Sequence, residues 1–437
     1  MFERPQKNGE CAILVHLTLT CKKHQADLAE FTELAHSAGV ITAAKITGTR
    51  HTPEPGTFVG SGKLQEIADM VALKKADVVL VNHELTPSQE RNLERALQCR
   101  VLDRTGVILD IFAQRARSFE GKLQVELAQL QYLSTRLVRG WTHLERQRGG
   151  IGLRGPGETQ LETDRRLLAE RIKYIHKRLE KVSQQRELSR KARRKAELPV
   201  ISLVGYTNAG KSTLFNHMTH SSLYVADQLF ATLDATLRRV QLPDKTPLIL
   251  ADTVGFIQQL PHTLVAAFHA TLEETCQATL LLHVVDASDE HRQERVTQVN
   301  QVLEEIGAKE VPQLIIYNKI DQLPDSEARE ERNQMGQVTK IWLSALTGEG
   351  VDLLQAALSH YFNQNRVHQW VRVPVEHGEL RARMFASGVV IEERYAENGD
   401  SLLNIYVSDQ KLIQLFASEP QLQSIKSLAE FSPNSYN

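Results

Sequence analysis

A glycine-rich segment in the middle of the chain constrains the fold more than any other feature. Residues 205–212 stand between an apolar run at 198–204 and the helix-like segment 213–216. In this arrangement the backbone N–H groups of the loop and of the helix N-terminus wrap a di- or triphosphate. The alternative is an ordinary glycine-rich turn that matches the motif by chance. We expect Lys211 to reach the β and γ phosphates and Ser212 to bind Mg²⁺. The predicted phosphate-binding residues are Gly205, Tyr206, Thr207, Asn208, Ala209, Gly210, Lys211 and Ser212.

Two later motifs predict the base of the nucleotide. Asn318 to Asp321 follow the apolar run 313–317, so their side chains should lie at the carboxyl edge of a parallel strand, where α/β sheets bind ligands. An Asp carboxylate there accepts hydrogen bonds from N1–H and the exocyclic amine of guanine, a donor pair that adenine lacks. The predicted guanine-site residues are Asn318, which supports the loop, Lys319, whose stem lies along the ring, Ile320, Asp321, and Ser344, Ala345 and Leu346, whose backbone touches guanine O6.

A third motif predicts a sensor of the γ phosphate. Asp252-Thr253-Val254-Gly255 closes the strand-like run 247–251. Asp252 can hold Mg²⁺ through water and the Gly255 N–H can hydrogen-bond the γ phosphate, so the segment responds to that phosphate. A second switch should bring a threonine to the metal. The loop between residues 218 and 240 offers Thr232 and Thr236, and spacing alone does not choose between them or exclude an ordinary loop threonine.

Phe256 departs from the catalytic arrangement of small GTPases. It follows Gly255, where a glutamine would orient the attacking water. Phenylalanine neither positions water nor accepts a proton. We therefore expect slow intrinsic hydrolysis, with the water positioned by another group of this chain or by a partner; Phe256 would also pack on the sheet.

Length and composition limit the class of protein. The 437 residues allow two to four domains, and a hydrophobic content of 41% suffices for their cores. The four cysteines show no CxxC spacing and the sixteen histidines form no HExxH motif, so we expect a reduced, cytoplasmic protein with no metal besides Mg²⁺. No apolar stretch reaches membrane-spanning length, and the run 11–19 is typical of a strand rather than of a signal peptide.

The order of strand-like and helix-like segments predicts the domains. Residues 1–113 alternate between the two and predict a small α/β domain. They include Gly60-Ser-Gly-Lys63, which lacks the full phosphate-loop spacing, so a second phosphate site is the less favoured interpretation. We expect a GTP-binding domain with a doubly wound sheet over 198–365, and a small α+β domain, built from a strand hairpin and helices, over 366–437.

Residues 114–197 predict a helical hairpin with a glycine-rich loop at 140–158. Leucines from 123 to 137 and apolar residues from 161 to 182 form two heptad-like stripes, which should pack against each other antiparallel. A loop this long is either disordered or functional, and its arginines suit RNA contacts. Residues 160–197 carry 13 Lys/Arg against 6 Asp/Glu, which is either a solvated helix face or a nucleic-acid contact. The loop arginines are Arg146, Arg148 and Arg154, between Trp141 and Gln160.

With these motifs placed, the chain resembles the HflX family of translational GTPases over nearly its full length. The resemblance is carried by residues 56–63, 102–112, 149–162, 230–234 and 252–256, and the glycine-rich stretch 149–162 is the most specific of them. The family usually has proline where this chain has Ala235, from which we expect a looser switch. The resemblance selects Thr232 as the threonine on Mg²⁺, places Phe230, Ala231, Leu233 and Asp234 beside the nucleotide, and implies Lys211, Thr232 and Gly255 as catalytic residues with Ser212 and Thr232 as metal ligands.

The resemblance also implies partners and an activity. Such proteins are GTPases that bind the 50S ribosomal subunit and, with GTP, help to separate stalled 70S ribosomes. Their N-terminal domain and glycine-rich loop approach ribosomal RNA, which would give the loop arginines an RNA role, and the ribosome would order the water that Phe256 leaves unattended. We expect a monomer that takes GTP as substrate. The alternatives are a GTP-gated RNA- or ribosome-binding module without splitting activity and a signalling GTPase with a protein partner.

Overall fold

The chain divides into two units, which are described separately. The structure, a computed structural model, describes residues 9–20, 27–140, 156–195, 198–220, 229–230, 232–244, 246–257, 274–324, 326–363, 366–396, 398–408 and 415–416. The first unit holds residues 1–241 and 247–353, and the second holds residues 242–246 and 354–437. Among the described residues, no helix is long and apolar enough to cross a membrane.

The first unit begins with a four-stranded parallel sheet in the order β2-β1-β3-β4. Its central strands are almost continuously apolar, as expected for strands covered on both faces. The small α/β domain expected here is therefore present. Its elements are β1 (Cys11–Leu19), α1 (Leu28–Ser37), β2 (Ile41–Arg50), α2 (Ser61–Lys74), β3 (Val78–Val81), α3 (Pro87–Leu97), β4 (Arg100–Asp103) and α4 (Arg104–Arg115).

The predicted helical hairpin follows, formed by α5 (Phe119–Gly140) and α6 (Pro156–Lys195). Leu123 and Leu127 of α5 pack on Ile175 of α6, with Leu130, Ile172 and Leu179 at the edge of the cluster. Ion pairs Arg186–Glu120 and Arg171–Glu126 join the same faces, so the helices run antiparallel. The ends of the predicted loop 140–158 are helical, and Arg146, Arg148 and Arg154 lie outside the described residues.

A seven-stranded sheet in the order β10-β11-β9-β8-β5-β7-β6 follows the hairpin. Its five inner strands are parallel, whereas β6 and β10 pair antiparallel at the two edges. The doubly wound fold is thus confirmed, although the segment 218–240, expected to be a loop, contains β6. The elements are β5 (Val200–Val204), α7 (Lys211–Thr219), β6 (Thr236–Gln241), β7 (Pro247–Asp252), β8 (Leu280–Asp286), α8 (Arg292–Glu305), β9 (Gln313–Asn318), β10 (Arg329–Arg332) and β11 (Val338–Trp342).

One hydrophobic core joins the N-terminal sheet to the nucleotide-binding part of the unit. It includes Leu34 of α1 and Phe112 of α4 together with Tyr206, Phe230 and Phe256. All five are buried, with at most 7% of their surface exposed. The loops after β5 and β7 therefore rest on the N-terminal domain as well as on their own sheet.

The second unit contains an antiparallel three-stranded sheet in the order β12-β14-β13. Val371, Leu403 and Ile405 of the sheet and Leu380 and Met384 of the following helix form its core. The expected strand hairpin with helices is present. Its elements are β12 (Arg366–Val373), α10 (Gly378–Ala386), β13 (Val390–Tyr395) and β14 (Ser401–Ser408), and α9 (Val351–Asn363) leads into it from the first unit.

Candidate nucleotide-binding site

The loop after β5 has the backbone geometry of a phosphate cradle. Asn208 and Gly210 both have positive φ, at 60° and 88°, and α7 begins at Lys211, directly after the loop. A Cβ atom on Gly210 would lie 2.2 Å from Nδ2 of Asn318, and one on Gly205 would lie 2.2 Å from the carbonyl oxygen of Val284. Both positions therefore need glycine, because backbone and neighbouring groups approach too closely for any side chain.

Lys211 lies inside this loop. Its Nζ donates to the carbonyl oxygens of Gly205 at 3.1 Å and Tyr206 at 2.6 Å, and only 6% of the residue is exposed. Burial lowers the pKa of the ammonium group to about 8, although the nearby carboxylate of Asp252 opposes that shift. A phosphate group would replace carbonyl dipoles by full negative charges and would favour the charged form.

Three oxygen-bearing side chains meet beside the first turn of α7. Ser212 Oγ lies 2.7 Å from Thr232 Oγ1, and both hydroxyls donate to Oδ2 of Asp252 at 2.8 Å. The other carboxylate oxygen, Oδ1, is buried and has no hydrogen-bond partner in the described part of the protein. Burial raises the pKa of Asp252. The cluster contains Thr232, whereas Thr236 lies on β6, paired with Asp252 through the sheet.

This cluster suits Mg²⁺. The ion is usually held in proteins by one or two carboxylates together with hydroxyls, waters and substrate phosphates, all of them oxygen ligands. The described residues contain no group of three or more His, Cys, Asp or Glu side chains that could hold a metal by themselves. A single carboxylate with an unsatisfied oxygen and two hydroxyls therefore fits an ion that also binds the nucleotide.

Asn318 connects the two ends of the site. Its Nδ2 donates to the carbonyl oxygen of Ala209 at 2.9 Å, and its Oδ1 accepts from the N–H of Ala345 at 2.8 Å. Asp321 accepts a hydrogen bond of 2.5 Å from the hydroxyl of Ser344. The amide of Asn318 therefore holds the phosphate loop and the segment 344–346 at a fixed distance, and Asp321 is bonded to the start of that segment.

A cavity of about 300 Å³ follows this line from the phosphate loop to Asp321. Fourteen of the predicted site residues line it. They are Thr207, Asn208, Gly210, Lys211, Ser212, Phe230, Thr232, Thr253, Gly255, Asn318, Lys319, Asp321, Ala345 and Leu346. Thr213 and Gln322 also line the cavity. Neither was among the predicted site residues, although each directly follows a predicted motif.

The remaining predicted residues lie outside the cavity wall. Six of them lie next to lining residues without reaching the cavity: Gly205, Ala209, Asp252, Val254, Ile320 and Ser344. Leu233 is buried in the core. Ala231 lies outside the described residues. Tyr206 and Asp234 direct their side chains away from the cavity: Tyr206 bonds to Glu30 of the N-terminal domain, and Asp234 bonds to Ser118 at the start of the helical hairpin.

Phe256 is buried, with 2% of its surface exposed, and does not line the cavity. Its N–H donates to the carbonyl oxygen of Gly205 at 3.1 Å, and its carbonyl accepts from the N–H of Thr207 at 2.8 Å. The backbone thus fixes the phosphate loop while the ring packs in the shared core.

Comparison with known proteins assigns the family. Three family models match consecutive parts of the chain: GTP-binding GTPase N-terminal at 25–113, GTP-binding GTPase Middle Region at 115–193, and 50S ribosome-binding GTPase at 200–319. GTPase HflX of Escherichia coli is 56% identical over 422 residues, covering 97% of this chain and 99% of that protein. The chain belongs to the HflX family. The resemblance inferred from the sequence motifs is confirmed, and the protein is a P-loop GTPase.

The chain is also similar to other proteins. GTPase HflX of Magnetococcus marinus is 48% identical over 377 residues, which cover 86% of this HflX chain and 87% of that protein. Among solved structures, a GTP-binding protein from the hyperthermophilic archaeon Sulfolobus solfataricus in complex with GDP aligns with 23% identity and a TM-score of 0.44, over 81% of this chain and 99% of that one.

Proposed function

We propose that this protein binds GTP in the cavity between the phosphate loop and Asp321, hydrolyses it to GDP and phosphate, and uses the cycle to bind the 50S ribosomal subunit and separate stalled 70S ribosomes. The observation that supports the nucleotide part is the pair of hydrogen bonds from the Asn318 side chain, which join the phosphate loop to the segment beside Asp321. The membership of the HflX family and the match to a 50S ribosome-binding GTPase model support the ribosomal part.

Asp321 selects the base. Its carboxylate accepts from N1–H and the exocyclic amine of guanine, and the backbone of 344–346, whose Ala345 N–H donates to Asn318, borders guanine O6. Adenine offers no such pair of donors, so it would lose both hydrogen bonds to the carboxylate. Lys319, held by an ion pair of 2.7 Å with Asp286, covers the ring.

Lys211, Ser212 and Thr232 act at the phosphates. Lys211 takes its charged form against the β and γ phosphates, and the Gly255 N–H binds the γ phosphate. Bound Mg²⁺ would be held by Ser212 and Thr232, with Asp252 behind them, and would neutralise charge on the phosphates. Gly255 can lie close to the phosphate loop because it has no side chain. A Cβ atom on Gly255 would lie 2.7 Å from Thr207 and 3.0 Å from Lys211 Nζ.

Hydrolysis by the protein alone should be slow. Phe256 occupies the position of the water-orienting glutamine, and its ring is buried away from the cavity. The missing group would come from the ribosome. The helical hairpin presents a basic surface for RNA, since eight Lys/Arg and three Asp/Glu occur between residues 165 and 188 of α6. Such contacts release counterions and weaken as salt rises.

Sedimentation of 70S ribosomes with the protein and GTP, GDP or a non-hydrolysable GTP analogue tests the splitting activity. We expect 70S particles to decrease and subunits to increase with GTP or the analogue but not with GDP. GTP turnover should rise when purified 50S subunits are added. Thr232→Ala should bind GDP normally and fail in both assays, whereas Thr297→Ala, at an exposed position of α8, should behave like the wild type.

Two other outcomes would change the assignment. Binding to ribosomes with the analogue but no loss of 70S particles would identify a GTP-gated ribosome-binding module. Turnover that 50S subunits do not stimulate, together with a partner whose binding resists salt and ribonuclease, would identify a signalling GTPase.

A further inference from the structure

The residues around Thr232 contact two different parts of the first unit. We call residues 229–234 the switch segment. On one side, Thr232 joins Ser212 and Asp252 at the proposed metal position. On the other side, Leu229, Phe230 and Leu233 are each 98% buried in the core that the N-terminal domain shares. The segment is therefore placed by residues of the N-terminal domain as well as by the phosphate loop and its sheet.

Asp234 binds the N-terminus of α5. Its Oδ2 accepts from the N–H groups of Arg117 and Ser118 at 2.9 and 2.7 Å, and its Oδ1 accepts from the hydroxyl of Ser118 at 2.5 Å. The same hydroxyl accepts from the N–H of Gly121 at 2.8 Å, as an N-cap does. A carboxylate at this end of a 22-residue helix is also favoured by the helix dipole.

Gly121 makes this approach possible. A Cβ atom at this position would lie 2.0 Å from Oδ1 of Asp234 and 3.0 Å from Oγ of Ser118. Any side chain would therefore push the carboxylate off the helix. The glycine is buried within a helix, where it has no other conformational reason to be present, since its φ is not positive.

Phe230 and Leu229 hold the beginning of the segment. The ring of Phe230 packs edge-on against Phe112 of α4, with 4.7 Å between centroids, and the N–H of Leu229 donates to the hydroxyl of Ser37 at 3.0 Å. Phe230 has a positive φ of 57°, so the chain turns sharply there, two residues before Thr232. Thr232 therefore lies between two anchors; Leu229 and Asp234 lie outside the nucleotide cavity, whereas Phe230 also lines it.

We propose that Asp234, through its hydrogen bonds to Arg117 and Ser118 at the start of α5, is a positioning residue that holds Thr232 at the metal side of the nucleotide. This inference rests on the proposed role of Thr232 in binding Mg²⁺ with GTP. Because only the buried Leu233 separates Asp234 from Thr232, a shift of the backbone at Thr232 also displaces the carboxylate. Occupation of the γ-phosphate position and attachment of Asp234 to α5 therefore favour each other, and the coupling is reciprocal.

The test compares Asp234→Ala, Ser118→Ala and Gly121→Ala in the full-length protein. Fluorescent GDP and a fluorescent non-hydrolysable GTP analogue are titrated with Mg²⁺ present. We expect the affinity for the analogue, relative to that for GDP, to fall by about 5- to 150-fold, which is the usual range for coupled sites, while GDP binding changes little. Asp234→Asn should restore part of the difference, because its amide oxygen still accepts from the two N–H groups.

Matched controls separate this effect from general damage. Ser134→Ala lies on the same helix, and Gly62→Ala adds a Cβ where no atom lies within 4 Å. Both should leave the ratio unchanged. Equal losses of GDP and analogue binding, or an unchanged ratio in folded Asp234→Ala, would overturn the proposal. A wild type that does not bind guanine nucleotides with Mg²⁺ would instead overturn the proposed function.

Hydrogen exchange of the capped amides distinguishes a positioning role of Asp234 from a role that only stabilises the helix. The amides of Arg117, Ser118 and Gly121 should exchange more slowly with the GTP analogue than with GDP in the wild-type protein. A cap that only stabilises the helix would protect them equally in both states. Equal protection would therefore contradict the proposal even if Gly121→Ala failed to fold.

Discussion

The hydroxyl of Tyr206 donates a hydrogen bond to the carboxylate of Glu30, which joins the second residue of the phosphate loop to helix α1 of the N-terminal domain. Glu30 also pairs with Arg104, and none of the three residues is more than 8% exposed. The ring of Tyr206 lies under the guanidinium of Arg295, 4.6 Å from its centroid. Tyr206 of the phosphate loop is thus held by Glu30 at its hydroxyl and by Arg295 at the face of its ring.

Tyr206→Phe should lower the free energy of unfolding by about 1–3 kcal/mol. The ring remains, but a buried, paired carboxylate loses one donor, and that loss carries the desolvation cost of the group. Denaturant unfolding of the nucleotide-free protein measures the change. Tyr174→Phe is the matched control, because Tyr174 on α6 is 48% exposed. Equal losses in the two variants would show that the bond to Glu30 adds nothing.

Asp321→Asn should weaken GTP binding by about 100-fold or more and shift the preference toward xanthosine triphosphate. The amide presents a donor that suits the 2-oxo group of xanthine and repels the amine of guanine. Competition between the two nucleotides for a fluorescent ligand measures the shift. Asp69→Asn, at an exposed position of α2, serves as the control. An unchanged preference in Asp321→Asn would remove the assignment of the base to this residue.

Gly210→Ala should abolish nucleotide binding while leaving the fold of the N-terminal domain intact. The new Cβ would meet Nδ2 of Asn318, and the φ of 88° is strained for any other residue. Isothermal titration with GDP and circular dichroism test the two parts separately. Gly56→Ala, where no atom lies within 4 Å of the new Cβ, should bind GDP as the wild type does. Normal GDP binding by Gly210→Ala would contradict the role of the loop geometry.

His283, buried on β8, should make stability depend on acid. Burial lowers its pKa from 6.5 to about 4, so between these values the unfolded chain binds a proton that the folded chain does not. The stability is therefore complete above pH 6.5 and falls as the pH decreases toward 4, by about 3 kcal/mol in total. Unfolding measured across this window should show a shallower dependence for His283→Gln than for the wild type.

The exposed His291→Gln is the control for that comparison. Other titrating groups, such as Glu90 with its raised pKa, are present in all three proteins and cancel in the difference. If His283→Gln and the wild type lost stability in parallel, the histidine would not be the group that titrates.

Much of the fold and site could be predicted because the relevant signals are local. The phosphate loop, the motif at 252–255 and the motif at 318–321 each follow an apolar strand, and a strand that ends in polar residues places them at the edge of the sheet. The hairpin could be predicted for the same reason, since Leu127 and Ile175 belong to stripes that are complete within each helix.

Side-chain directions that depend on distant partners could not be predicted. Tyr206 and Asp234 were expected beside the nucleotide, but their partners Glu30 and Ser118 lie 176 and 116 residues away in the sequence. A motif specifies the backbone path of a loop, whereas the surroundings in the folded protein decide which way its side chains face. No turn residue marks the start of helix α4, because it begins immediately after β4; the Asp103 carboxylate caps it by accepting from Gly106 N–H.

The core shared by the N-terminal domain and the nucleotide loops limits how these parts can be exchanged during evolution. Phe230 and Phe256 would meet water if residues 1–113 were deleted or replaced by an unrelated domain. A chimera that kept the GTP-binding motifs but lacked Phe112 and Leu34 would expose an apolar surface next to the γ phosphate. We therefore expect the two domains to be inherited as a pair and to accept substitutions at their junction together, so that a change on one side is tolerated only beside a compensating change on the other.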